Sequence, residues 1–134
     1  MSVWRRLGLL GPALVWMVVI YVVSDQSSLP SLAVGWLDRA TKSASHFAEY
    51  GILALLLARH PLATQPRLTV RSASLVTALC LLFALSDEYH QLFVPGRVAD
   101  WADVAADTAG AVTMVSLLTR TGPASLLRRL DPLL

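Results

Sequence analysis

An uncharged run over residues 7–24, preceded by Arg5 and Arg6, comes close to the roughly 20 residues a helix needs to cross about 30 Å of hydrocarbon. It predicts a first span over about 6–24. Pro12 should kink this helix without ending it, because neighbouring helices can satisfy the carbonyl it frees. Three more helical runs are expected over about 42–60, 70–93 and 101–120. None holds a fully apolar stretch of spanning length: 44–58 takes in His46 and Glu49, 72–86 stops before Asp87, and 108–119 follows Asp103 and Asp107. Each reaches full length only by drawing polar residues into one end. Residues 24–38, with Pro30 and several serines, read as an exposed connection with a short interfacial turn around 32–37. In the tail, Pro123 as a helix starter and Arg128-Arg129 among leucines predict an interfacial helix over 123–131.

Composition agrees with the pattern. Apolar residues are 55% of the 134 and charged residues 15%, with a mean hydropathy of +0.59, far from a soluble domain of this size. The reading is a single all-α domain over 1–134, a polytopic membrane bundle of four transmembrane helices. A cleavable signal peptide is the competing reading of the first run. The run is too long for that, and Val22-Val23-Ser24 is not an Ala-x-Ala-like cleavage site. The lone Cys80 excludes an internal disulfide.

If the four spans alternate, eight basic residues and one acid fall on the side of the termini, and three basic residues and eight acids on the other. The positive-inside rule then places both termini in the cytoplasm. The net charge of +2 is accounted for by this orientation, and nucleic-acid binding is not expected. The polar ends of the second, third and fourth helices meet at the outer face. His46 and Glu49 share a helix face, as do Asp87 and Gln91, and Asp103, Asp107 and Gly110. Ala102, Ala106 and Gly110 form a small-residue edge for close backbone approach. The turn Val94-Pro95-Gly96 should hold Arg97 as a lid above the Asp87 and Asp103 ends. At 1.5 Å rise per residue, Glu49, Asp87 and Asp107 all lie about 9–10 Å below their outer helix ends, so the three carboxylates should converge around His46. So many acids in a partly dry pocket require at least one to be protonated, or paired with His46 or Arg97. Asp100 reads as a solvated loop residue, and Trp4, Trp16, Trp36 and Trp101 as interface or packing residues.

The ordered set His46-Phe47-Ala48-Glu49-Tyr50, Asp87-Glu88-Tyr89-His90-Gln91, Pro95-Gly96-Arg97, Asp103, Asp107 and Gly110 resembles the signature of the VanZ-like family of small bacterial membrane proteins. One departure is that Ser43 stands where the family usually has a basic residue, three positions before the His; Lys42 is four before it. The resemblance implies a cell-envelope membrane protein, related in its founding member to teicoplanin resistance, without supplying a reaction.

Three function classes follow. The first is a site for an outer-leaflet lipid or peptidoglycan precursor, with His46, Glu49 and Asp87 as acid and base and Glu88, Gln91, Arg97, Asp103 and Asp107 as binding residues. The second is a non-catalytic membrane module whose polar residues hold helices together or against a partner membrane protein. The third, an ion or proton path, lacks ionisable residues in the inner halves of the spans. No metal or other cofactor is expected: Asp87-x-x-His90 and His46-x-x-Glu49 offer ligands, but the four-helix diiron pattern is missing. Gly-x-Ser-x-Gly, His-Glu-x-x-His and Walker motifs are also missing.

Overall fold

The computed structural model describes residues 2–26, 34–121, 127, 131 and 133. These form four helices, α1 (Val3–Ser24), α2 (Gly35–Leu62), α3 (Val70–Gln91) and α4 (Trp101–Thr121), with no strand among the described residues. The expected connection around Pro30 and most of the expected 123–131 helix lie outside them.

Each helix begins or ends for a local reason. Ser2 caps α1 by accepting the Arg5 N–H at 3.3 Å, and Thr69 caps α3 by accepting the Ser72 N–H at 3.2 Å. α2 starts well before the expected residue 42, so residues 35–37 are its first turn and not an interfacial turn. Asp38 near this end complements the positive end of the helix dipole. α3 stops at Gln91, two residues early. There the chain tightens into i→i+3 bonds (Phe93 N to His90 O, Val94 N to Gln91 O), since Pro95 disfavours helical geometry in the residue before it. Residues 94–97 then form a turn closed by the Arg97 N–H on Val94 O, with Gly96 at φ 81°, a conformation that favours glycine.

The helices alternate in direction. The C-terminal ends of α1 and α3 meet where the Tyr21 and His90 rings stack at 4.3 Å, while Arg59 near the end of α2 donates to Leu9 O near the start of α1. α2 packs most extensively, above all against α4. The core between them holds Tyr50, Leu53, Ala54, Ala58, Val104, Ala111 and Val115, with Ala13, Ile20, Val76, Cys80 and Ala84 from α1 and α3.

α1 and α3 are long and apolar enough to cross a membrane, and only 22% of the most apolar window of each is buried inside the protein. A core helix of a soluble protein would hide most of that window. Here Leu14, Val15, Val18, Leu75, Leu79 and Leu82 face outward. Trp4, Trp36 and Trp101 lie exposed at helix ends, as interface residues do.

Candidate functional site

Close approach of α2 and α4 builds the centre of the site. A Cβ on Gly110 would collide with the backbone carbonyl of Phe47, so only glycine allows this contact. Of the small-residue edge expected on α4, Gly110 makes the close approach while Ala102 is exposed. The contact places His46, one residue before Phe47, against Asp107, three residues before Gly110. Their Nδ1 and Oδ1 atoms are 2.9 Å apart in a buried setting. One turn towards the helix ends, Lys42 Nζ sits 2.5 Å from Asp103 Oδ2, and that oxygen is 3.8 Å from His46 Nε2. Lys42 and His46 on α2 therefore pair in register with Asp103 and Asp107 on α4, each set at i, i+4.

A second polar group ties α1 to α3. Ser24 Oγ donates to Asp87 Oδ2 at 2.6 Å, and Gln91 Nε2 donates to the same oxygen at 3.3 Å. Beside it, His90 lies 3.1 Å from Asp25 Oδ1 through Nε2 and 3.2 Å from the Tyr21 hydroxyl through Nδ1. Glu88 makes a third link. Its Oε2 accepts the Asp100 N–H at 2.7 Å, while Asp100 Oδ1 accepts the Ala102 N–H and so caps α4. Asp100 is exposed in the loop before α4, as expected, and is also part of the framework, since its backbone N–H is held by the buried Glu88 carboxylate.

Glu49 is half-buried and makes no side-chain hydrogen bond among the described residues, but it lies within electrostatic reach of His46, Asp107 and Asp87. Of the three carboxylates expected to converge around His46, Asp107 is bonded to it and Glu49 lies within its reach, whereas Asp87 is taken up by Ser24 and Gln91 on the side of α1. The expected pairing of one acid is met by His46 on Asp107. Arg97 differs from expectation. Asp103 is held by Lys42, and Arg97 makes no ion pair among the described residues. With Lys42, Gly96, Val98, Ala99 and Asp100 it lines an open cavity of about 320 Å³ on the N-terminal side of α2 and α4. Its Nε is buried without a hydrogen-bond partner among the described residues.

Lys42, Ser24, Tyr21 and Asp25 escaped the sequence reading as site residues. Lys42 carried a signal, since i, i+4 spacing puts it on the His46 face. Ser24 carried none, because a serine at the end of an apolar run looks like any helix end.

The arrangement has definite chemical capacities. A carboxylate at Nδ1 favours the tautomer with the proton there and leaves Nε2 as a proton acceptor, the orientation used wherever an acid positions a histidine base. Asp87 Oδ1, Glu88 Oε1, Gln91 Oε1 and the Tyr50 hydroxyl are buried without hydrogen-bond partners among the described residues. Buried polar atoms of this kind call for a water or a ligand group. Among the described residues no three His, Cys, Asp or Glu side chains are grouped as a metal ion would need.

No curated protein matches the chain, and no solved structure does. The family model described as VanZ/LLP1 matches residues 9–122, a stretch that includes every candidate site residue from Ser24 to Asp107. With most of its length matched and the site inside the match, the chain belongs to the VanZ/LLP1 family.

Proposed function

We propose that this membrane protein crosses the bacterial cytoplasmic membrane four times with both termini inside, and that its polar site opens outward to bind or modify an outer-leaflet lipid or peptidoglycan precursor. Family membership and the two apolar helices support a membrane protein. The charge asymmetry along the sequence supports the orientation. The observation that carries the site reading is the in-register ladder Lys42–Asp103 and His46–Asp107 beneath a cavity lined by Lys42 and Arg97.

In this reading the cavity receives an anionic group of the substrate, a phosphate or carboxylate, on Arg97 and Lys42. Asp103 neutralises Lys42 until such a group arrives. His46, positioned by Asp107, takes up a proton from a substrate hydroxyl or a water, and the half-buried Glu49 serves as its acid partner. Asp87, Glu88 and Gln91 bind the neutral polar part of the substrate through their unpartnered oxygens.

A second reading rests on a specific observation. His46–Asp107 joins α2 to α4, and Ser24–Asp87 joins α1 to α3, as interhelical bonds would in a non-catalytic module. Comparing the lipids and peptidoglycan precursors of cells with and without the protein separates the two. The site reading predicts one lipid or precursor species that changes with the protein. Unchanged profiles together with a stable co-purifying membrane partner would favour the module.

A further inference from the structure

At the opposite end of the molecule, α1, α2 and α3 separate around a second cavity of about 440 Å³. This volume lies within the range of about 300–1,000 Å³ usual for small-ligand sites. α1 and α3 are tied together at their other ends by Ser24–Asp87 and Tyr21–His90, and they pack against each other little elsewhere. The floor of the cavity is aliphatic, with Leu10 from α1, Leu57 from α2 and Leu75 and Leu79 from α3. Leu75 and Leu79 are also exposed on the lipid-facing side of α3. The mouth carries His60 and Arg71, and no carboxylate among the described residues lines the cavity.

Arg71 is exposed and makes no ion pair or side-chain hydrogen bond among the described residues. Nearby Arg59 is committed to Asp131 at 2.6 Å and to Leu9 O. The end of the molecule that holds the cavity therefore presents a free guanidinium over an aliphatic channel, with no acid in the first turn of α3 to neutralise it. A soluble anion would use the charge and leave the channel unfilled; a neutral lipid would fill the channel and leave the charge unmet.

We propose that this groove binds one anionic phospholipid from the leaflet on the side of the termini, its phosphate at Arg71 and His60 and an acyl chain along Leu10, Leu57, Leu75 and Leu79. The lipid acts as a wedge that holds α1 and α3 apart at this end. It is separate from the outward site and does not depend on what that site does. Juxtamembrane basic residues attract anionic headgroups by ordinary electrostatics, and the channel adds the selectivity of an acyl chain held in place.

The test uses the full-length protein in detergent, with retention of dioleoyl phosphatidylglycerol or dioleoyl phosphatidylcholine read by native mass spectrometry. The expected result is one retained phosphatidylglycerol, preferred over phosphatidylcholine. Arg71→Gln should lower its retention about fivefold. Leu79→Trp, which fills the channel from an exposed position, should lower it with Arg71 intact, while Arg39→Gln, an exposed residue near the start of α2 that lines neither cavity, should change nothing. Equal retention of the two lipids overturns the proposal. So does retention unaffected by Arg71→Gln and Leu79→Trp, as with a lipid held elsewhere or a groove covered by the chain's own tail. Inorganic phosphate displacing phosphatidylglycerol from wild type would also overturn it, since the charge alone would then define the site.

Discussion

Replacing Ser24 by Ala removes the hydroxyl that donates to Asp87 Oδ2 at 2.6 Å and leaves that buried oxygen with only the longer bond from Gln91. The expected cost is about 1–2 kcal/mol, the worth of one interhelical hydrogen bond to a buried acid, read by thermal or denaturant unfolding in detergent. An unchanged midpoint would mean that a water takes the place of the hydroxyl. Arg97→Lys tests a different property. Arg97 makes no ion pair among the described residues, so stability should stay within about 0.5 kcal/mol of wild type. The lipid or precursor change should fall sharply, because an ammonium does not reproduce a planar fork on a phosphate or carboxylate. Equal function in the Lys variant would reduce Arg97 to a positive charge. At this scale the site was legible where residues recur at i, i+4, as Asp87 with Gln91 and Asp103 with Asp107 do. It was not legible where partners come from different helices: nothing along the chain says that Asp103 meets Lys42 and not Arg97.

The α2–α4 seam is the element on which the site depends, and its tightness can be measured. Gly110→Ala puts a methyl group into the Phe47 carbonyl, so the two backbones must separate. The expected loss is about 2–3 kcal/mol, as for overpacking a rigid contact. It should also lengthen His46–Asp107, since both residues sit within one turn of the collision. Gly35→Ala, at the first position of α2, is the control. Nothing beyond its own chain neighbours lies within 4 Å of a Cβ there, and alanine is the better helix former. Its unfolding midpoint should stay level. Equal destabilisation by the two changes would mean that the seam is looser than the Gly110 contact implies. The sequence edge Ala102, Ala106 and Gly110 pointed to a close approach. It could not say that Gly110 alone makes it, because that depends on the rotation of α4 about its axis.

For the whole molecule, the four-helix count and the clustering of polar ends followed from residues 7–24, 42–60, 70–93 and 101–120, because hydrophobic length and polar interruptions are properties of the chain itself. The boundaries were less legible. α2 begins at Gly35, where the serines and Pro30 upstream looked like loop, and α3 ends at Gln91 because of a proline four residues on. The orientation makes a direct prediction. With Cys80 replaced by Ala, a cysteine at exposed Val98 should react with an impermeant thiol reagent on intact cells, and one at exposed Pro66 only after permeabilisation. Labelling of both from outside would break the four-span alternation. The account's central claim is that the outward polar residues form a working site and not only joints between helices. His46→Gln tests it most directly, since glutamine keeps a hydrogen-bonding group facing Asp107 but cannot accept and return a proton as imidazole does. The measurement is the lipid and precursor profile of cells making this variant, taken alongside its unfolding midpoint in detergent. The account predicts a folded protein within about 2 kcal/mol of wild type whose cells show the profile of cells lacking the protein. A folded variant with the full wild-type profile would contradict it.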